Sequence, residues 1–117
     1  MKYLEETVKL LNHIQDNPDS TQRELVKKLD FSLGKVNYLI KTLTKRGTIK
    51  LERFKKSSKK AGYLYLLTPK GIQQKTEITR IFLKQKLNEY DRLQEEIQIL
   101  SIELDNAGEK RNNNKIC

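Results

Sequence analysis

Several residue types that carry chemistry are scarce in this 117-residue chain: tryptophan is absent, and cysteine and histidine each occur once. The single cysteine, Cys117, has no partner for an internal disulfide, which favours a protein of a reducing compartment. The single histidine, His13, is more typical of a surface or packing position than of a catalyst. The sequence also contains no phosphate-binding loop and no cluster of metal ligands. We therefore expect no enzyme, no metal site and no cofactor.

Long apolar runs are also missing. No stretch approaches the ~20 apolar residues that a membrane-spanning helix needs, and residues 1–6 lack the basic-then-apolar pattern of a secretion signal. Hydrophobic residues make up 36% of the chain. This content supports a core over roughly two-thirds of the length. We expect a soluble, cytoplasmic protein with no membrane partner, built from one domain and an appended helix.

The positive charge of the chain is concentrated in one segment. Residues 35–60 contain ten basic side chains and one acid, a net charge of +9, which is also the net charge of the whole chain. A charge excess confined to one segment favours a phosphate backbone as the partner. A solvated, lysine-rich loop is the alternative interpretation of the same run.

Three short helices are predicted in the first half of the chain. The first is indicated by apolar residues at the helical period near the N-terminus. The second begins at Thr21, which forms a capping-box signature with Glu24 three residues later. The third is predicted over residues 33–46, with Ser32 as its N-cap and Gly47 as a left-handed C-cap. The three apolar faces contain Leu4, Val8, Leu11 and Ile14, then Leu25, Val26 and Leu29, then Val36, Leu39 or Ile40, and Leu43.

A β-hairpin is predicted after the third helix. Residues 48–54 alternate apolar and polar side chains, and residues 63–67 form a second strand-like run. Between them, the polar and basic residues 55–62 predict a long, flexible loop at the tip of an antiparallel hairpin. Tyr63 and Tyr65 alternate with leucines, and we interpret them as hairpin packing rather than as platforms for base stacking.

The final predicted helix is long. Thr68 is its predicted N-cap, and Pro69 occupies the first helical position, where a missing N–H costs nothing. With an expected end at Asp105 the helix has about 37 residues and a length of ~55 Å, too long to be buried throughout in a small domain. Its second half carries about three heptads, which predict a homodimer. The residues of this heptad seam are Leu83, Leu87, Tyr90, Leu93, Ile97, Leu100 and Leu104.

The order of these elements predicts a mainly α protein with a small β-hairpin. A winged helix-turn-helix domain is expected over residues 1–71, a long C-terminal dimerisation helix over 72–105 and a disordered tail over 106–117. In this arrangement the third helix enters the major groove of double-stranded DNA, and the hairpin forms the wing beside it. The heptads leave open whether the paired helices run parallel or antiparallel.

The candidate DNA-binding residues follow from that arrangement. Asn37 can bond adenine in a bidentate manner, and Lys35 can donate to guanine acceptors, while Gly34 removes bulk where the helix approaches the groove. Packing of Tyr38 into the core and solvation of the wing lysines are the alternatives. The full set is Ser20, Thr21 and Gln22 at the start of the second helix; Ser32, Lys35, Asn37, Tyr38, Lys41 and Lys45 in the third; and Arg53, Lys55, Lys56, Lys59 and Lys60 in the wing.

Residues 20–71 resemble the DNA-binding core of the MarR-type winged-helix transcriptional regulators, and the resemblance is strongest for the short branch associated with bacterial exopolysaccharide gene clusters. It implies a bacterial regulator that binds a pseudo-palindromic operator as a dimer, with terminal helices in the dimer interface. A small-molecule effector stays unspecified. The segments that carry the resemblance are Ser20-Thr21-Gln22-Arg23-Glu24-Leu25, the helix over 32–46, Lys45-Arg46-Gly47-Thr48-Ile49, and Tyr65-Leu66-Leu67-Thr68-Pro69-Lys70-Gly71.

Two other classes of function compete with duplex recognition. Winged helices also serve as protein-binding modules, but such a module has no need to concentrate its net charge on one helix and a hairpin. Binding of RNA or single strands favours exposed aromatic side chains, whereas the aromatics here are predicted in packing positions. Duplex DNA is therefore the preferred partner, with a protein-interaction module or a non-specific nucleic-acid binder as the alternative.

Overall fold

The computed structural model describes the backbone of residues 3–57 and 60–108 and the side chains of residues 3–53 and 62–108. In this part of the chain the elements are α1 (Leu4–Asp16), α2 (Gln22–Leu29), α3 (Leu33–Lys45), β1 (Ile49–Ser57), β2 (Lys60–Leu67) and α4 (Pro69–Asn106). The chain divides into two compact units, Met1–Phe82 and Leu83–Cys117. This is the predicted architecture, a winged helix-turn-helix followed by a long C-terminal helix. The predicted disordered tail lies outside the described residues from residue 109 onward.

The core of the first unit joins α1, α2, α3 and the start of β1. Leu10, Leu11, Ile14 and Leu25 are fully buried, and the four apolar positions of α3 pack with them. The sequence predicted burial of Leu39 or Ile40, and both are buried. The apolar stripe of α3 is therefore wider than one residue per turn. This burial leaves the opposite face of α3 for solvent or a ligand.

Local caps begin the helices as predicted. The Thr21 hydroxyl accepts a hydrogen bond from the Glu24 N–H (3.1 Å), and the Glu24 carboxylate accepts one from the Thr21 N–H (3.0 Å), which completes the capping box. The hydrogen bond from the Thr21 backbone N–H, and to a smaller extent the bond from the Thr21 side chain, lower the pKa of Glu24. The carboxylate half of the box therefore stabilises the fold at neutral pH, and this contribution is lost as pH falls through that lowered pKa. Ser32 likewise caps α3.

The turn after α3 is closed by Gly47. Its φ of 76° lies in the left-handed region that a side chain disfavours. The Thr48 N–H donates to the Leu43 carbonyl (2.9 Å), and the Gly47 N–H donates to the Thr44 carbonyl (3.1 Å). These two bonds form a Schellman motif, so the chain leaves α3 and enters β1 in one direction.

The start of α4 packs tightly against this same turn. The Thr68 hydroxyl accepts from the Gly71 N–H (2.9 Å) and donates to the Gly47 carbonyl, so one side chain caps α4 and joins it to the turn after α3. The Thr48 hydroxyl donates to the Gln74 side chain on the next turn of α4. Gly71 is buried, and a Cβ there would lie 1.9 Å from the Thr48 carbonyl oxygen. Only glycine allows this approach of the two backbones.

The hairpin corrects one prediction. β1 and β2 pair antiparallel from Ile49↔Leu67 out to Ser57↔Lys60, with an irregularity between Lys55 and Ser57. The predicted long loop over residues 55–62 is therefore wrong, because most of it continues the two strands. Strand pairing uses backbone groups that every residue carries. Residues 55–62 lack the apolar alternation by which a strand is predicted from sequence.

Candidate nucleic-acid interface

The exposed face of α3 carries four of the six DNA-binding residues predicted on or beside this helix. Asn37, Lys41 and Lys45 are exposed, and Tyr38 is half-exposed rather than packed into the core. The Tyr38 ring makes an edge-on contact with the Tyr3 ring at 5.8 Å between centroids. The face thus presents an amide, a phenol and two ammonium groups, a mixture suited to base edges and phosphates.

Lys35 does not belong to that face. Its Nζ lies 3.2 Å from a carboxylate oxygen of Glu6 on α1. The same ammonium group lies 5.2 Å from the centre of the Tyr3 ring and 5.5 Å from that of Phe31, and only 30% of the side chain is exposed. A cation over two rings and beside a carboxylate is engaged within the fold. We therefore revise its expected role from reading guanine to holding the first turn of α3 against α1.

We expect the Lys35–Glu6 pair to contribute measurably to stability. Lys35→Met keeps the aliphatic stem and removes the charge, and Glu6→Gln removes the partner charge. Each is expected to lower the free energy of unfolding by about 1 kcal/mol, with a coupling of about 0.5–1 kcal/mol in the double-mutant cycle. Denaturant melts of the four proteins measure this coupling.

The matched control is the exposed pair of Lys9 and Glu5, which lie one turn apart on α1. The Lys9 Nζ is 3.0 Å from the Glu5 Oε2. A cycle on this pair is expected to give a coupling of about 0.3–0.5 kcal/mol. Equal coupling in the two cycles would contradict a structural role for Lys35.

The start of α2 contributes two of its three predicted residues. Thr21 is exposed, and Gln22 is partly exposed. Ser20 is only 6% exposed, and its hydroxyl donates to the Asn17 carbonyl (2.9 Å). Because that hydroxyl is buried and already bonded, we leave Ser20 out of the interface. The serine instead stabilises the turn between α1 and α2.

The base of the wing is joined to that turn. The Tyr65 N–H donates to the Pro18 carbonyl (2.9 Å), which places β2 beside the start of α2. Residues of both elements line a cleft of about 320 Å³, among them Thr21, Gln22 and Tyr63. The start of α2 and β2, which are distant in the sequence, are therefore neighbours in the structure.

Arg53 and Tyr63 form a cross-strand pair in the wing. They are directly opposed in the register, so their side chains share one face of the hairpin, and both are exposed. Tyr65, two residues on, packs against the core. Our interpretation as packing therefore holds for Tyr65, while half of Tyr63 stays accessible. Both tyrosines alternate with leucines in the sequence, so the pattern could not tell them apart. They differ in the structure because Tyr65 lies closer to the core than Tyr63.

The wing lysines fall largely outside the described side chains. Lys55, Lys56 and Lys60 belong to the two strands. Nothing further is described for them, and Lys59 lies outside the described residues altogether. Their predicted contacts with DNA stay predictions.

The second unit carries the predicted dimer seam. Six of its seven apolar residues, from Leu83 to Leu100, are each between 53% and 58% exposed. Leu104 is partly exposed, and the Gln94 side chain donates to the Tyr90 hydroxyl (2.9 Å). A helix with a row of half-exposed leucines and isoleucines offers an apolar stripe for a partner helix.

Comparison with known proteins gives a family match to part of the chain and a similar fold. Residues 7–50 match the family described as winged helix-turn-helix DNA-binding; the match runs from α1 through α3 to the start of β1. The chain is similar in fold to the solved structure of the transcriptional regulator homologue protein from Pyrococcus horikoshii OT3, with a TM-score of 0.56 and 14% identity over 77% of this chain and 90% of that chain. No curated protein matches the sequence. The chain thus has the winged helix-turn-helix fold, and its residues 7–50 match a family of DNA-binding domains.

Two further properties concern only the residues that the structure describes. Among their helices, none combines the length and the apolar character that a bilayer crossing requires. Their His, Cys, Asp and Glu side chains form no group of three or more that is arranged to hold a metal ion.

Proposed function

We propose that this protein is a transcriptional regulator that binds double-stranded DNA sequence-specifically as a homodimer. One observation carries the proposal: the exposed face of α3 and the wing lie within the segment that holds +9 of net charge, in a domain of the DNA-binding type. Counterion release from phosphates then supplies affinity, and the exposed amide on α3 supplies sequence choice. This role requires no catalytic residue.

Each part of the interface has a distinct task in this proposal. Asn37 reads a base edge in the major groove, and Lys41 and Lys45, further along α3, bond phosphates on the flanking strand. Thr21 and Gln22 contact the backbone from the start of α2. Arg53 and Tyr63 contact it from the wing, where a phenol hydroxyl donates to a phosphate oxygen.

The homodimer forms through the heptad seam of α4. An exposed apolar stripe of this length is costly in water, and a second copy covers it with matching side chains. Pairing of two winged domains then sets the distance between two half-sites at about one turn of DNA, ~34 Å. We also propose membership of the MarR-type regulators and a target among exopolysaccharide genes, on the motif from Lys45 to Ile49 and the Leu-Thr-Pro-Lys-Gly run that starts α4.

The roles within the interface predict two different effects of substitution. Lys41→Ala is expected to weaken binding to all duplexes by the same factor and to lower the slope of log affinity against log salt by about 1. Lys59→Ala and Lys60→Ala are each expected to have the same two effects. Asn37→Ala is expected to cost about 1–3 kcal/mol on the preferred sequence alone. Fluorescence anisotropy at several salt concentrations measures both quantities. Equal losses on preferred and random duplexes for both substitutions would contradict this division of roles.

The first experiment titrates the protein against a duplex of its own upstream region and a random duplex at two salt concentrations. Tighter binding to the upstream duplex, with a steep salt slope on both, supports a sequence-specific regulator. Equal affinity supports a non-specific DNA binder, in which case selection from a random library tests for another site. Absence of binding to either duplex favours a protein-interaction module.

A further inference from the structure

Leu33, the first residue of α3, presents an apolar side chain where the helix begins. Its side chain is 59% exposed. A single exposed leucine is ordinary on a protein surface; what distinguishes this one is its place at the end of α3 that enters the groove in a helix-turn-helix. The residue was absent from the sequence-based set because an apolar residue beside a cap resembles a core position.

Leu33 and Asn37 lie four residues apart on α3 and are therefore neighbours on one face, about one helical turn from each other. Gly34, between them in the sequence, is not crowded by other elements, since a Cβ there would have no heavy atom of another element within 4 Å. The first turn of α3 thus offers one apolar contact and one amide, with open space beside them.

The groups that an A·T base pair presents in the major groove fit the side chains of Leu33 and Asn37. The adenine edge presents a donor and an acceptor that an asparagine amide bonds in a bidentate manner, and the thymine edge presents a methyl group. Guanine is most often read by Arg or Lys. The only cation in residues 32–40 is Lys35, which is held by Glu6 and the two rings.

We infer that Leu33 and Asn37 together read A·T base pairs, with Leu33 in contact with the 5-methyl group of thymine. Leu33 is then a specificity-determining residue, and the half-site contains at least one A·T pair at the position that the start of α3 faces. The inference rests on the proposed function, because it assumes that α3 enters the major groove.

The test replaces thymine with uracil, which removes only the methyl group. Duplexes that bind the full-length protein are first selected from a random library to define the half-site. Each thymine is then replaced singly by deoxyuridine in chemically synthesised duplexes. For the wild-type protein, the contacted position is expected to lose about fourfold in affinity, the value of one buried methyl group. Leu33→Ala is expected to bind the thymine and uracil duplexes equally.

Lys41→Ala is the matched control on the same helix. It is expected to weaken binding to both duplexes by the same factor and so to leave the ratio of thymine to uracil affinity at its wild-type value. Because Leu33 is largely exposed, Leu33→Ala is expected to leave the thermal midpoint within about 2 °C of wild type.

The outcomes separate this inference from the proposed function. If a sequence is selected but uracil binds as well as thymine at every position, the inference is overturned and sequence-specific binding stands. Discrimination that persists in Leu33→Ala also overturns it, since the effect then comes from the DNA or from another residue. If no sequence is selected, the proposed function fails and the inference fails with it.

Discussion

Gly71→Ala is expected to lower the free energy of unfolding of the first unit by about 3 kcal/mol, at the upper end for overpacking. The new Cβ would lie 1.9 Å from the Thr48 carbonyl oxygen and 2.8 Å from the carbonyl carbon. These are backbone atoms, so no change of rotamer relieves the clash. Thr48 itself is fixed by hydrogen bonds to the Leu43 carbonyl and from the Thr68 N–H. Relief therefore requires separation of α4 from the turn after α3.

Gly34→Ala is the matched control, because it makes the same chemical change in open space on a helix. It is expected to raise stability by about 0.5–1 kcal/mol, since alanine favours the helical backbone. Urea denaturation followed by circular dichroism measures both variants. Destabilisation of both by similar amounts would show that the packing of Gly71 against Thr48 is not the cause.

Ile97→Glu is expected to abolish the proposed homodimer and to weaken binding to a two-half-site operator by about 10²–10⁴-fold. Ile97 lies in the middle of the heptad seam and is 53% exposed within one chain. In a paired seam, the glutamate of each chain would lie within an apolar stripe without a compensating positive charge, which costs several kcal/mol. A monomer then binds one half-site and loses the gain in affinity that two linked domains provide.

Ile99→Glu provides the comparison on the same helix. Ile99 is 64% exposed and lies two residues from Ile97, outside the heptad seam. The same substitution there is expected to preserve both the dimer and the affinity. Analytical ultracentrifugation gives the mass of each variant, and anisotropy gives its affinity for DNA. A monomeric Ile99→Glu together with a dimeric Ile97→Glu would place the interface on a different face of α4.

Features set by neighbouring residues were predicted well. Thr21, Ser32 and Thr68 cap their helices, and Gly47 adopts the left-handed conformation expected of it. Each of these signals acts over three or four residues, so the local sequence contains nearly all of the relevant energy. The end of α4 at Asn106 differs by one residue from the expected end.

The structure also shows contacts of individual polar residues that the sequence did not indicate. Lys35 follows the cap of α3 in a position typical of a base-reading side chain. It instead forms an ion pair with Glu6, 29 residues away in sequence. Ser20 precedes a helix, where hydroxyls often meet phosphates, yet its side chain is buried and its hydroxyl donates to the Asn17 carbonyl. The partner of Lys35 lies on another helix, which only the packing of α1 against α3 reveals. The partner of Ser20 is the Asn17 carbonyl in the same turn.

By itself, the sequence determined the order of the helices and strands, the caps at their ends, the concentration of charge and the heptad row of α4, because periodicity, caps and charge are local properties. The tertiary structure decided which residues of the candidate interface are accessible. It engaged Lys35, buried Ser20, left Leu33 and Tyr63 exposed, extended the hairpin and required a glycine at position 71. These outcomes depend on distances between elements that are remote in the chain, and those distances follow only once the core of α1, α2 and α3 has formed.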